Sequence, residues 1–279
     1  MSRLTLKSEI VYAGVGLHSG KPVKIRLTPA ESGAGYGFVF DGIRYPIESA
    51  SHRGDGRGTI LNFDGHSVMT VEHLLAALSG LGVDDVTLYP EGGETPLLDG
   101  SALDYAAEIV RRGLKEQAGE KEWIDIASPL FVTSEDERKV CAVLPSDRQR
   151  FTYVIEYGDN AIGTQIADVS PTPENFMAEL APCRTFCLYE EVEQMRAAGL
   201  GLGGTVETAL IVKGHEILTP GGLRRPDEFV RHKILDMLGD LALLGRPVRG
   251  HFIALRAGHA MHQKLVDRIA AVLGARVRL

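Results

Sequence analysis

A chain of 279 residues with 44% hydrophobic content is long enough to bury a substantial core, as one large domain or two of ordinary size. Its net charge of -7 argues against general binding to nucleic acid or to a membrane surface, since either needs a basic patch that the pattern lacks, although a local cationic pocket stays open. No apolar run reaches the length of a membrane-spanning helix, residues 1–9 lack the apolar core of a signal peptide, and Cys141, Cys183 and Cys187 make no disulfide framework, so a cytoplasmic protein is expected.

In chain order, strands are expected around 23–27 and 38–45, with Asp41-Gly42 as a turn signal between strand-like runs. A helix follows over 70–78. Thr70 can cap it, and Val71, Leu74, Leu75 and Leu78 repeat at the spacing of a core face, while Glu72 and His73 fall off that stripe. Next come a strand at 86–89 and a helix from Ser101 to about Gln117. The polar run 115–122 reads as the join between two domains, 1–120 and 121–279. Beyond it, strands are expected at 123–126, 131–133, 140–144 and 151–157, then helices near 173–180 and 226–244, with Pro226 suited to a first helical position. Strand pairs beside helix pairs favour an α+β layer architecture over a doubly wound sheet.

Between 186 and 210 the second half carries an insertion that the first lacks, a helical piece over 190–198 followed by Gly199-Leu200-Gly201-Leu202-Gly203-Gly204. It is a candidate substrate-binding element. Its glycines lack the Gly-Lys-Ser/Thr ending of a phosphate loop.

The last long helix bears the most chemistry. Residues four apart on a helix lie about 40° apart around its axis, so His232, Asp236 and Asp240 form one stripe with Lys233 beside it, and His232 and Asp236 can reach one metal ion. A catalytic zinc site usually takes three protein ligands, and His73 is the best third candidate. The alternative is that both segments are merely solvated helix faces. An internal repeat favours the site: Val71-x-His73-x-Leu75-x-x-Leu78-x-Gly80 aligns with Val230-x-His232-x-Ile234-x-x-Met237-x-Gly239, and each copy is followed by a strand-like run. Two related halves packed together would bring equivalent helix ends to one interface.

Several segments together resemble the zinc-dependent UDP-3-O-acyl-N-acetylglucosamine deacetylases of lipid A biosynthesis. They are Gly14-Val15-Gly16-Leu17-His18-Ser19-Gly20, Thr70-Val71-Glu72-His73-Leu74, Leu98-Asp99-Gly100-Ser101-Ala102, Arg184-Thr185-Phe186, Arg231-His232-Lys233-x-Leu235-Asp236-x-x-Gly239-Asp240-Leu241 and Gly258-His259-Ala260. The match is colinear over nearly the whole chain. The resemblance implies two tandem α/β sandwich layers with the active site at their interface, and a Zn2+ held by His73, His232 and Asp236. It implies Glu72 as general base, His259 as general acid, Asp240 as the partner that orients His259, and Thr185 as a holder of the oxyanion. By the same resemblance Lys233 lies beside the substrate, Phe186 forms a pocket wall, and the insertion with Leu188, Leu200 and Leu202 forms the passage for the acyl chain, to which Val192 and Met195 also offer apolar surface.

The chemistry fits these roles, because an acetamide is a poor electrophile whose carbonyl must be polarised and whose departing amine must be protonated. Two segments depart from the family pattern, Glu156 to Gly163 and Met261-His262-Gln263; both are expected to bear on substrate preference and not on the zinc chemistry. Tyr157 is assigned to stacking on uracil and Arg256 to a phosphate. His18 borders the site or serves a turn, and His52, His66, His215, His251 and His262 read as surface or core residues. The expected partner is a UDP-linked acylated amino sugar, with no nucleic acid, no stable membrane insertion, and a monomeric chain. The competing readings are a deacetylase for another N-acetylated sugar and a nucleotide-sugar-binding protein without catalysis.

Overall fold

The computed structural model describes residues 1–54 and 57–274. Its core is two mixed sheets with the same strand order. The first runs Ile10–Val15, Pro22–Pro29, Val86–Glu91, Tyr36–Phe40, Ile43–Pro46, and the second runs Leu130–Thr133, Val140–Leu144, Val248–Leu255, Gln149–Glu156, Thr164–Val169. In each, the last strand in sequence sits at the centre, antiparallel to the second strand and parallel to the third. Parallel neighbours need a crossover. The crossover helices are Glu72–Gly80 in the first sheet and Glu228–Leu241 in the second, the two elements that carry the sequence repeat.

Those helices are buried along almost their whole length. They pack against each other so closely that a Cβ at Gly239 would collide with the Glu72 carbonyl. The solvated-face alternative is thereby excluded, since His73, His232, Asp236 and Asp240 are all buried. Further helices, Leu103–Arg112 and His259–Val272, follow the central strand of each sheet. The fold is α+β, as the strand and helix pairing predicts. Among the described residues no helix is long and apolar enough to cross a membrane.

Three local expectations are corrected. Thr70 does not cap its helix. The helix starts at Glu72 after Val71, while Thr70 adopts φ 57° and donates its hydroxyl to Glu94 Oε1 at 3.0 Å. The helix expected to reach Gln117 ends at Arg112, where Gly113 (φ 83°) turns the chain. The polar run at 115–122 lies largely in a strand, Leu114–Glu120, antiparallel to Ser2–Leu6. Finally, the insertion has a counterpart. Phe186–Leu188, Leu210–Lys213 and Glu216–Ile217 make a three-stranded sheet beside the helix Tyr189–Ala197, and the first half places Ser51–Gly54, Thr59–Phe63 and His66–Met69 as another three-stranded sheet at the same point, just before its crossover helix.

Candidate active site

His73 stands in the first turn of its helix, and His232 and Asp236 one turn apart on theirs. The helix crossing brings the three together. Asp236 Oδ1 lies 3.3 Å from His232 Nε2 and 3.7 Å from His73 Nε2, and the three ligand atoms all fall within 4.8 Å of one another. His232 Nδ1 donates to the Cys183 carbonyl at 3.1 Å, which turns the Nε2 lone pair inward. Burial pushes the His232 imidazole down to about 3 and lowers His73, so both rings are neutral donors. Burial opposes ionisation of Asp236, but the neighbouring imidazoles and the Lys233 ammonium, whose Nζ donates to Oδ2 at 2.8 Å, hold its carboxyl well below the usual range. Among the described residues, buried Asp236 Oδ1 has no hydrogen-bond partner. Two neutral imidazoles and an unsatisfied carboxylate oxygen are the donor set of a metal site with one position left open, and they fit a zinc ion.

Behind this trio lies a second buried cluster. His259 Nδ1 and His262 Nδ1 both donate to Asp240 Oδ2 at 2.8 Å, and the Thr59 hydroxyl donates to Asp240 Oδ1 at 2.5 Å. The far nitrogen of His262 accepts from the Tyr153 hydroxyl at 2.9 Å. Although burial disfavours charge on His259, Asp240 and Asp236 raise its imidazole to about 9, while Asp240 itself is held at about 2 against its own burial. His259 is therefore a cation at neutral pH, its Nε2 3.5 Å from Asp236 Oδ2.

Glu72 completes the ring of groups. Burial raises its carboxyl to about 7, and the backbone amide of Thr59 donates to its Oε2 at 3.0 Å. These side chains open onto a cavity of about 500 Å³, lined on its polar side by Glu72, His73, Thr185, His232, Lys233, Asp236 and His259. Thr185 is pinned by its backbone, its amide donating to the Gly100 carbonyl and its own carbonyl accepting from Leu210, both at 2.8 Å. The other wall is apolar, with Phe186, Val192, Met195, Val206, Ala209, Ile211 and Leu218. Tyr157 packs edge-on against Phe186 at 5.5 Å between ring centroids. The Lys233 ammonium lies 5.3 Å above the same Phe186 ring. His18 also lines the cavity; buried Glu94 holds its amide at 2.8 Å and that of Ser19 at 3.0 Å, which fixes the turn in Gly14 to Gly20.

Not every expected substrate contact reaches this cavity. Arg256 is ion-paired with Glu156 on an exposed strand end and does not line it. Leu188, Leu200 and Leu202 also lie outside its lining; Leu188 packs against the core, Leu200 closes the turn after the inserted helix, and Leu202 is 52% exposed. In their place Val192 and Met195 face it. The expectation that Met261-His262-Gln263 stands apart from the reacting groups is corrected: His262 bonds Asp240, and Gln263 Nε2 donates to the Thr59 hydroxyl at 3.0 Å. Thr59, Tyr153, Gln263 and Glu94 escaped the sequence reading. The only signal for them was a polar residue inside an apolar strand or helix pattern, as at Gln263 between Met261 and Leu265.

Comparison with known proteins gives matches over nearly the whole chain. The family model described as LpxC, UDP-3-O-acyl N-acetylglycosamine deacetylase, matches residues 3–271. Proteins named UDP-3-O-acyl-N-acetylglucosamine deacetylase are similar over nearly the full length. That of Nitratidesulfovibrio vulgaris is 42% identical over 268 residues, 94% of this chain and 85% of its own. That of Phenylobacterium zucineum is 40% identical, covering 97% and 94%, and that of Chlamydia trachomatis serovar D is 40% identical, covering 96% and 95%.

Proposed function

The chain belongs to the UDP-3-O-acyl-N-acetylglucosamine deacetylase family, and from that premise we propose that it hydrolyses the acetamide of UDP-3-O-acyl-N-acetylglucosamine to acetate and the free amine, in lipid A biosynthesis. The observation that carries the reading is the convergence of His73, His232 and the unsatisfied Asp236 Oδ1 at one end of a cavity whose other wall is apolar, with a carboxylate and an imidazolium on either side. His73, His232 and Asp236 would hold a zinc ion, which when bound polarises the amide carbonyl and makes water more acidic. Glu72, as carboxylate, takes the proton of the attacking water. The Thr185 hydroxyl and the Lys233 ammonium face the same space and stabilise charge that develops on the carbonyl oxygen. His259 carries its proton at Nε2 and delivers it to the amine as the C–N bond breaks, while Asp240 keeps the ring oriented. Tyr157 and Phe186 offer aromatic surface for the nucleotide, and Val192 and Met195 for the acyl chain.

All of these groups come from one chain, which supports a working monomer. We place the boundary between the two halves near residue 120, where the strand paired with the N-terminal segment ends.

Acetate release from UDP-3-O-acyl-N-acetylglucosamine, with and without a chelator, tests the reading. Each buried methylene contributes about 0.8 kcal/mol, so removing two acyl carbons is expected to lower kcat/KM more than about tenfold. Equal kcat/KM for UDP-N-acetylglucosamine and its 3-O-acyl derivative would instead indicate a deacetylase for another N-acetylated sugar. No turnover of either would leave a binding protein.

A further inference from the structure

Thr59 is fully buried at the start of the strand Thr59–Phe63 and touches both proton-transfer arms of the site. Its amide donates to Glu72 Oε2 at 3.0 Å and its hydroxyl to Asp240 Oδ1 at 2.5 Å. Those two acceptors belong to different halves of the sequence. The hydroxyl has one proton and two lone pairs; the proton goes to Asp240, and Gln263 Nε2 donates to one lone pair at 3.0 Å. His259 Nδ1 lies 3.4 Å from the same oxygen, but its proton is committed to Asp240 Oδ2 at 2.8 Å. The Thr59 carbonyl in turn accepts from the Thr70 amide at 2.9 Å, tying the strand to the entry of the Glu72–Gly80 helix.

We propose that Thr59 is a positioning residue that holds the general base Glu72 and the acid's partner Asp240 in one frame, so that the proton-accepting and proton-donating groups keep a fixed separation. The inference rests on the deacetylase reading above. With Oε2 engaged by Thr59, Oε1 is the Glu72 oxygen left for water, and Gly58 lies beside it: a Cβ there would approach Oε1 to 3.1 Å. On the other arm, the hydroxyl fixes the rotation of the Asp240 carboxylate, which is what keeps Oδ2 in line with His259 Nδ1.

Thr59→Val keeps the branched shape and the backbone amide but removes the hydroxyl, whereas Thr59→Ser keeps the amide and the hydroxyl and removes only the methyl group. Loss of a hydrogen bond to a carboxylate is expected to lower kcat roughly tenfold to a hundredfold in Thr59→Val, with KM within about threefold and bound zinc unchanged, whereas Thr59→Ser stays within about threefold of the parent. A Thr59→Val enzyme within about twofold of the parent, or equal losses in both variants, overturns the proposal. A second readout is independent of turnover. In the metal-free protein with 15N-labelled histidine, the His259 Nδ1 proton should exchange with water at least about tenfold faster in Thr59→Val but not in Thr59→Ser; an unchanged rate overturns the proposal. If the parent protein fails to deacetylate the acylated sugar nucleotide, the substrate reading falls and the exchange measurement still decides the role of Thr59. Should Thr59→Val not fold, Gln263→Leu removes the donor that sets the hydroxyl, and an unchanged kcat there counts equally against it.

Discussion

Two buried clusters of identical composition, His73 with His232 and Asp236, and His259 with His262 and Asp240, lie side by side, and each places its ligand atoms within 4.8 Å of one another. They differ in what is left over. In the second cluster Asp240 accepts from Thr59, His259 and His262, and His262 spends its other nitrogen on Tyr153. In the first, Asp236 Oδ1 has no hydrogen-bond partner among the described residues, and the two imidazoles that face it are neutral. Two histidines and an aspartate therefore do not define a metal centre. We read unspent lone pairs facing a cavity as what would make one, and the same residue types gathered around an aspartate whose lone pairs are spent as an orienting network.

The contrast is broken most severely by removing a ligand. His232→Ala or Asp236→Ala is expected to lose bound metal and to reduce deacetylation to background, while His262→Ala keeps its metal; elemental analysis of the purified variants reads this directly. Metal retained at one ion per chain in both ligand variants would dissolve the distinction.

A smaller effect separates the clusters by role. Glu72→Gln is expected to keep the metal and lose on the order of 10²-fold or more in kcat, because the ligand set is intact and only proton removal fails. The pH profile follows from the same groups. Glu72, raised by burial to about 7, must be ionised, so activity rises through that pH; His259, raised by Asp240 to about 9, must be protonated, so activity falls through that one. His259→Ala should lose the alkaline fall along with most of its rate, and an unaltered alkaline limb would remove His259 as the acid.

The mildest expected change is read in stability. His262→Ala leaves the Tyr153 hydroxyl with a lost partner in a buried place, at a cost of about 1–3 kcal/mol to folding, measured by denaturant unfolding of the metal-free protein. A ligand variant such as His232→Ala should cost less there, since it gives up one hydrogen bond, from Nδ1 to the Cys183 carbonyl, where His262→Ala gives up two. Equal losses would argue that the two clusters are not different in kind.

How far the sequence could reveal this site depended on the distance over which each residue acts. His232 and Asp236 were visible because one turn of helix brings them together, and His73 because a repeat marked it as the counterpart of His232. The α+β architecture was legible for a similar reason, since strand pairs and helix pairs follow one another locally. Thr59 was not legible: its partners Glu72, Asp240 and Gln263 lie 13, 181 and 204 positions away, and nothing in Arg57-Gly58-Thr59-Ile60 signals a polar contact. His262 reads only as a surface or core residue, because burial and function look alike from a pattern of apolar neighbours. Thr70 misled as a cap because a left-handed backbone, imposed by Glu94 and Thr95, cannot be inferred from the residue type.

The close crossing at Gly239 has a thermodynamic consequence. Because His73, His232 and Asp236 come from both crossover helices, an ion held by the trio would also bind the contact between them, and metal affinity and helix docking would become one linked equilibrium. Whatever loosens the crossing, such as a side chain at Gly239, weakens metal binding through that link by at most the free energy that the metal contributes to the crossing. The ion would then act as a rivet as well as a reagent, and the affinity for it would report how tightly the two sheets are held together.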